Sequence, residues 1–200
     1  MSELTRRDLL RMLGAAVASS AVPLTPLEVA LAQQRAELAV AAAGAGYLPR
    51  WFTPHEYRTV RLLVDLVLPR DERSGSATDA GVPEFMDFML NDRPDGQTPM
   101  RGGLAWLDNE CYERFGKTFV AATPTEQTTV LDDIAWPKKA KPELSQGVAF
   151  FNMFRDMTAS GFWSSKIGVT DLDYRGNTFV REWAGCPPEA LQKLGVQYED

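Results

Sequence analysis

Apolar residues recur along this chain at helical spacing, and each stretch is bounded by turn signals. Thr53-Pro54-His55-Glu56 has the form of a helix start: Thr53 caps, Pro54 takes the first helical position and Glu56 reaches back to the cap. Tyr57, Val60, Leu63, Val64, Val67 and Leu68 then line one face until Pro69 ends the helix. Pro83 opens a short helix whose Phe85, Met86, Phe88 and Met89 cover most of its circumference, which predicts deep burial. Leu104, Leu107, Cys111, Phe115 and Phe119 come next at intervals of three or four. Thr123-Pro124-Thr125-Glu126 repeats the capping arrangement before Val130, Leu131 and Ile134. Leu144 to Ser160 carries Val148, Phe150, Phe151, Phe154 and Met157, a stripe broad enough to pack on two sides. No alternation is long enough for a strand, and there is no internal repeat. The pattern predicts an all-α fold: a small helical domain with extended, irregular N- and C-terminal arms that wrap a partner.

The two ends read differently from the middle. Residues 33–50 are rich in Ala and Gly and predict a flexible arm, with order beginning at Trp51 and the helical domain spanning 51–160. Residues 161–200 are punctuated by Gly161, Gly168, Gly176, Gly185, Pro187 and Pro188, and predict an irregular arm with a last short helix at Glu189 to Leu194. Phe162, Trp163, Tyr174, Phe179 and Trp183 lie on that arm without a helical stripe to bury them, so they are candidate contacts with a partner.

The first 32 residues read as an export address. Arg6 and Arg7 come after Thr5 in the manner of a twin-arginine signal, Arg11 occupies a later basic slot, and Met12 to Leu24 is free of charge. Ala30-Leu31-Ala32 supplies a small-residue cleavage motif, which places the cut after Ala32. That route carries proteins that fold before crossing the membrane, and it places the mature chain in the periplasm, where thiols meet oxidising conditions.

Composition narrows the chemistry. With 200 residues, 44% of them hydrophobic, the chain can bury a core of its own. The net charge of -6 leaves no basic face for nucleic acid. One histidine and two cysteines cannot supply a usual zinc site or a haem attachment. Gly44-Ala45-Gly46 lacks the third glycine and the strand of a dinucleotide motif. His55 sits in a capping turn rather than in a triad. Asp171, Asp173 and Glu182 copy the spacing of a calcium loop, but Arg175 puts a guanidinium where an oxygen ligand belongs. No catalytic, cofactor-binding or metal-binding residues are assigned to this chain. Cys111 and Cys186 are a candidate disulfide, either within the chain or across a subunit interface, with free thiols as the third arrangement.

Several blocks are familiar. Trp51 to Glu56, Leu66 to Asp71, Gly75 to Val82 and Phe85-Met86-Asp87, then Gly161 to Ser165 and Tyr174 to Asn177, together resemble the gluconate 2-dehydrogenase subunit 3 family. The resemblance implies a small, twin-arginine-exported subunit of a periplasmic sugar or polyol dehydrogenase. It implies a large partner of the glucose-methanol-choline (GMC) flavoprotein class that holds FAD and substrate, and a cytochrome c subunit carrying haem c as electron acceptor. It brings no catalytic motif to carry over. The expected role is an escort through the twin-arginine machinery and a stabiliser of the catalytic subunit. The alternatives are a free-standing periplasmic enzyme and a ligand- or calcium-binding module resting on Asp171 to Glu182.

Overall fold

Three helices of this protein start on the same four-residue device, Thr-Pro-x-Glu. At each, the glutamate carboxylate accepts the backbone N–H of the threonine, at 2.9 Å for Thr25, 2.8 Å for Thr53 and 2.7 Å for Thr123. Each threonine hydroxyl in turn accepts the glutamate N–H, so two orphan donors are satisfied per helix start. The computed structural model describes residues 25–43, 47–173, 181–182 and 185–198. Its helices are α1 (Pro26–Ala43), α2 (Pro54–Val67), α3 (Val82–Asp92), α4 (Gln97–Phe115), α5 (Pro124–Ala135), α6 (Ser145–Ser164), α7 (Lys166–Asp171) and α8 (Pro188–Leu194). Among the described residues there is no strand, and the fold is all-α.

The broad aromatic stripe makes α6 the centre. It packs against α1, α2, α3, α4, α5 and α7, and its Phe150, Phe151, Phe154 and Met157 are buried among Phe85, Met86, Leu104, Leu107, Val130 and Ile134. Each such side chain contributes about 2 kcal/mol by leaving water. α4 and α6 approach through two glycines: a Cβ at Gly103 would lie 1.9 Å from the Phe150 ring, and one at Gly147 would lie 2.3 Å from the Trp106 ring. α4 ends at Gly116, in the left-handed region at φ +71°. Phe119, the last residue of its predicted stripe, is therefore on a separate 3-10 turn, and it is fully buried there.

Helix extends into both segments read as arms. The segment read as a flexible arm, 33–50, begins inside α1, whose Ala32, Gln33 and Ala36 are buried against the helical body. A face of alanines is readable as loose chain, yet it lets a helix lie close to its neighbours. At the other end, the helix predicted to stop at Ser160 continues to Ser164, because Phe85 packs on the bare face of Gly161. Ser165 then caps α7 by accepting the Gly168 N–H at 3.1 Å. Phe162, read as a partner contact, is 3% exposed and belongs to the protein's own core. The irregular reading fits the chain beyond Asp171, where the described residues form exposed loops and α8, a seven-residue helix with no buried residue.

Candidate functional site

The family-like block from Leu66 to Val82 folds into a braced loop. Asp71 accepts the N–H groups of Arg73 and Ser74, both at 2.8 Å, and Asp79 accepts the Ser76 N–H at 2.7 Å while pairing with Arg70 at 2.7 Å. The Ser74 and Ser76 N–H bonds hold the carboxyls of Asp71 and Asp79 below the usual carboxylate range. Asp65 takes the Thr78 N–H, and the Ala77 N–H returns to the Leu68 carbonyl, which tethers the loop to the end of α2.

A second polar centre lies at Asp87, the last residue of the Phe85-Met86-Asp87 block. Its wholly buried carboxylate accepts four bonds from residues 35 to 40 positions earlier: Tyr47 Oη (2.8 Å), Arg50 N (2.8 Å), Trp51 N (3.0 Å) and Phe52 N (3.0 Å). Beside it the buried Glu84 accepts from Tyr57 Oη at 2.6 Å and lies 3.6 Å from Arg61. Burial first, and then the carboxylate partner, pushes both tyrosines up. Both oxygens of Asp87 are taken by protein donors, which fixes the entry of the chain into α2, whereas Glu84 is engaged through Oε1 and its buried Oε2 has no hydrogen-bond partner. Sequence reasoning places Asp87 in a family-like block and gives it no role. The available signal was a pair of acidic residues, Glu84 and Asp87, set three apart in a helix whose Phe85, Met86, Phe88 and Met89 cover most of its circumference.

The histidine and the calcium-like spacing have structural roles. His55 Nε2 lies 2.6 Å from Asp108 Oδ2, whose other oxygen accepts the Phe119 N–H at 2.9 Å. The histidine thus helps pin α2, α4 and the turn after α4 together. Asp171 faces Arg73, which donates to its backbone carbonyl at 2.7 Å and lies 3.5 Å from its carboxylate. Among the described residues no group of three or more His, Cys, Asp and Glu side chains is placed to hold a metal ion. Arg175 lies outside the described residues.

The cysteines are apart in character. Cys111 is buried on α4, where burial and then the nearby Asp108 charge push its thiol up to about 11. Cys186 is exposed on the loop before α8, and its N–H donates to Tyr198 Oη at 2.7 Å. Both thiols are free, so the internal disulfide read as one arrangement is absent from this structure; core side chains enclose one partner while the other lies at the surface.

Between the braced loop and α7 lies an open groove of about 550 Å³ lined by Arg73, Ser74, Gly75, Lys166, Thr170 and Asp171. Its two cations are already engaged, Arg73 with Asp171 and Lys166 with Glu37 at 2.8 Å. On either side of α7 in sequence, Trp163 is 37% exposed and Leu172 is exposed. Of the five aromatics read as partner contacts, Trp163 is therefore partly free and Phe162 is not. Tyr174, Phe179 and Trp183 lie outside the described residues, as do Arg6 and Arg7. Ala30 and Ala32 both lie in α1, Ala30 exposed and Ala32 buried. Among the described residues no helix is long and apolar enough to cross a membrane.

No curated protein and no solved structure matches the chain. One family model does, that described as gluconate 2-dehydrogenase subunit 3, over residues 54–181. The matched span runs from the first turn of α2 through α7 and takes in the braced loop, the Asp87 carboxylate and the groove. With well over half of its length matched, the chain belongs to the gluconate 2-dehydrogenase subunit 3 family.

Proposed function

We propose that this chain is the non-catalytic small subunit of a periplasmic FAD-dependent dehydrogenase of sugars or polyols. It escorts the flavin-bearing catalytic subunit through twin-arginine export and stabilises it afterwards. The observation that carries this reading is the family match over residues 54–181. The geometry is in keeping with it: the polar residues of the family-like blocks brace loops and chain entries, and Trp163 and Leu172 remain at the surface beside the segment that leads to Tyr174, Phe179 and Trp183. In this reading the catalytic subunit is a GMC-type flavoprotein holding FAD and substrate, and a cytochrome c subunit with haem c takes the electrons.

Two measurements test it. A C-terminally tagged chain purified from its native host is expected to bring down a second, larger chain with a flavin absorption spectrum; a colourless chain eluting alone refutes the subunit assignment. Arg6→Lys with Arg7→Lys is expected to abolish export of both chains, because the export receptor reads the guanidinium pair. Periplasmic dehydrogenase activity at the wild-type level in that double variant refutes the escort role.

A further inference from the structure

α1 lies across the point where the export address is expected to be cut. Its start is fully built: Glu28 accepts the Thr25 N–H at 2.9 Å and the Thr25 hydroxyl at 2.7 Å, and Pro26 stands at the first helical position. The Ala32–Gln33 bond lies in its second turn. Ala32 is 0% exposed and Ala36 is 2% exposed. Gln33 is buried, with its amide donating to the Ala80 carbonyl at 3.5 Å. Three further ties run from this helix to the body. Glu28 pairs with Arg93 beyond α3 at 3.1 Å, Arg35 stacks over Phe88 of α3 at 5.1 Å, and Glu37 pairs with Lys166 of α7 at 2.8 Å.

A processing peptidase hydrolyses its substrate, adding water across the scissile bond, on an extended segment drawn into its cleft. At Ala32–Gln33 it would have to unwind a capped helix, extract two buried alanines and break cross-ties to three other parts of the fold. Local opening of that extent draws on much of the stability of the docked element, in contrast to fraying at a free end. A twin-arginine substrate is already folded when it reaches the far side of the membrane, so this protection is in place before any peptidase meets it.

We propose that folding closes the Ala30-Leu31-Ala32 motif to processing and that the exported protein retains α1 as a structural helix, any cut falling before Thr25. The compartment in this inference rests on the proposed export, whereas the protection of the helix rests on the contacts alone. Two measurements on the full chain separate them. The intact mass and N-terminal sequence of the protein from the periplasmic fraction are expected to give a chain beginning at Thr25 or earlier; a chain beginning at Gln33 overturns the proposal. Amide hydrogen exchange of the full-length protein is expected to be slowed over Val29 to Ala36 by on the order of a hundredfold or more relative to free chain. Exchange there at the free-chain rate overturns the proposal whatever the compartment. A protein found only in the cytoplasm with Met1 intact, and with α1 protected, overturns the export reading while leaving the helix a part of the body.

Discussion

α1 and the described residues after Gly185 are both weakly patterned sequence, yet one is docked and the other is not. α1 turns Ala32, Gln33 and Ala36 inward and is held by Glu28, Arg35 and Glu37 to partners on or beside α3 and on α7. None of the residues from Gly185 to Tyr198 is buried, and Leu194, Val196 and Tyr198 are exposed. Glycine and proline break the C-terminal segment, whereas α1 has a proline only at its first position, where a helix tolerates one. Alanine loses no side-chain entropy and fits where a larger side chain would hold two helices apart. An alanine-rich stretch is therefore loose only if nothing lies against it, and here a capping box and three polar ties set it in place.

The largest effect is expected at the buried carboxylate of α3 that gathers the segment between α1 and α2. Asp87→Ala is expected to cost about 4 kcal/mol, because it strands Tyr47 Oη and three backbone N–H groups that the carboxylate alone gathers. Urea unfolding followed by tryptophan fluorescence measures this, and a loss below about 1 kcal/mol would show that Asp87 does not hold the chain entry.

Next in size is a direct test of docked against undocked. Ala36→Leu is expected to destabilise by about 2 kcal/mol through overpacking, while Leu194→Ala at the exposed end should stay within about 0.5 kcal/mol. Equal effects in thermal melts would erase the distinction between the two ends.

Acid should weaken the capped starts and the braced loop. Glu28, Glu56 and Glu126 titrate below their unfolded value of 4.5, and Asp71 and Asp79 below 3.8. For Glu56, burial pushes upward, but the Thr53 N–H and Arg101 outweigh it. A depressed carboxyl contributes stability that is present above its unfolded pKa and lost as pH falls through the folded one. Stability should therefore fall as pH drops below about 4.5. In alkali the sign reverses: Cys111 rises from 9.0 to about 11, so its contribution is complete below 9 and disappears as pH climbs through 11. Denaturant midpoints across about pH 2.5 to 11 check both limbs, and a curve flat below about pH 4.5 would contradict the cap assignments.

The smallest effect is one of reactivity rather than stability. Cys186 is expected to alkylate readily in the native protein, and Cys111 only after unfolding, since the thiolate is both buried and disfavoured there. Labelling of both at similar rates would place Cys111 at the surface.

Sequence alone determined the helical class, the starts of α2, α3 and α5, the aromatic stripe of α6 and the position of α8. Those features rest on hydrogen bonds and side-chain neighbours within about four residues, which local spacing records directly. The start of α1 was written in the same form, Thr25-Pro26-Leu27-Glu28, but it sits inside a stretch that also reads as an export address. Tertiary structure alone decided the rest: that alanines at 32 and 36 face a body, that Phe162 turns into the core, that Cys111 and Cys186 stand apart, and that Asp87 gathers a donor from 40 residues away. Each depends on which elements meet and how closely they approach, and a one-dimensional pattern does not record the surface on the other side of a contact.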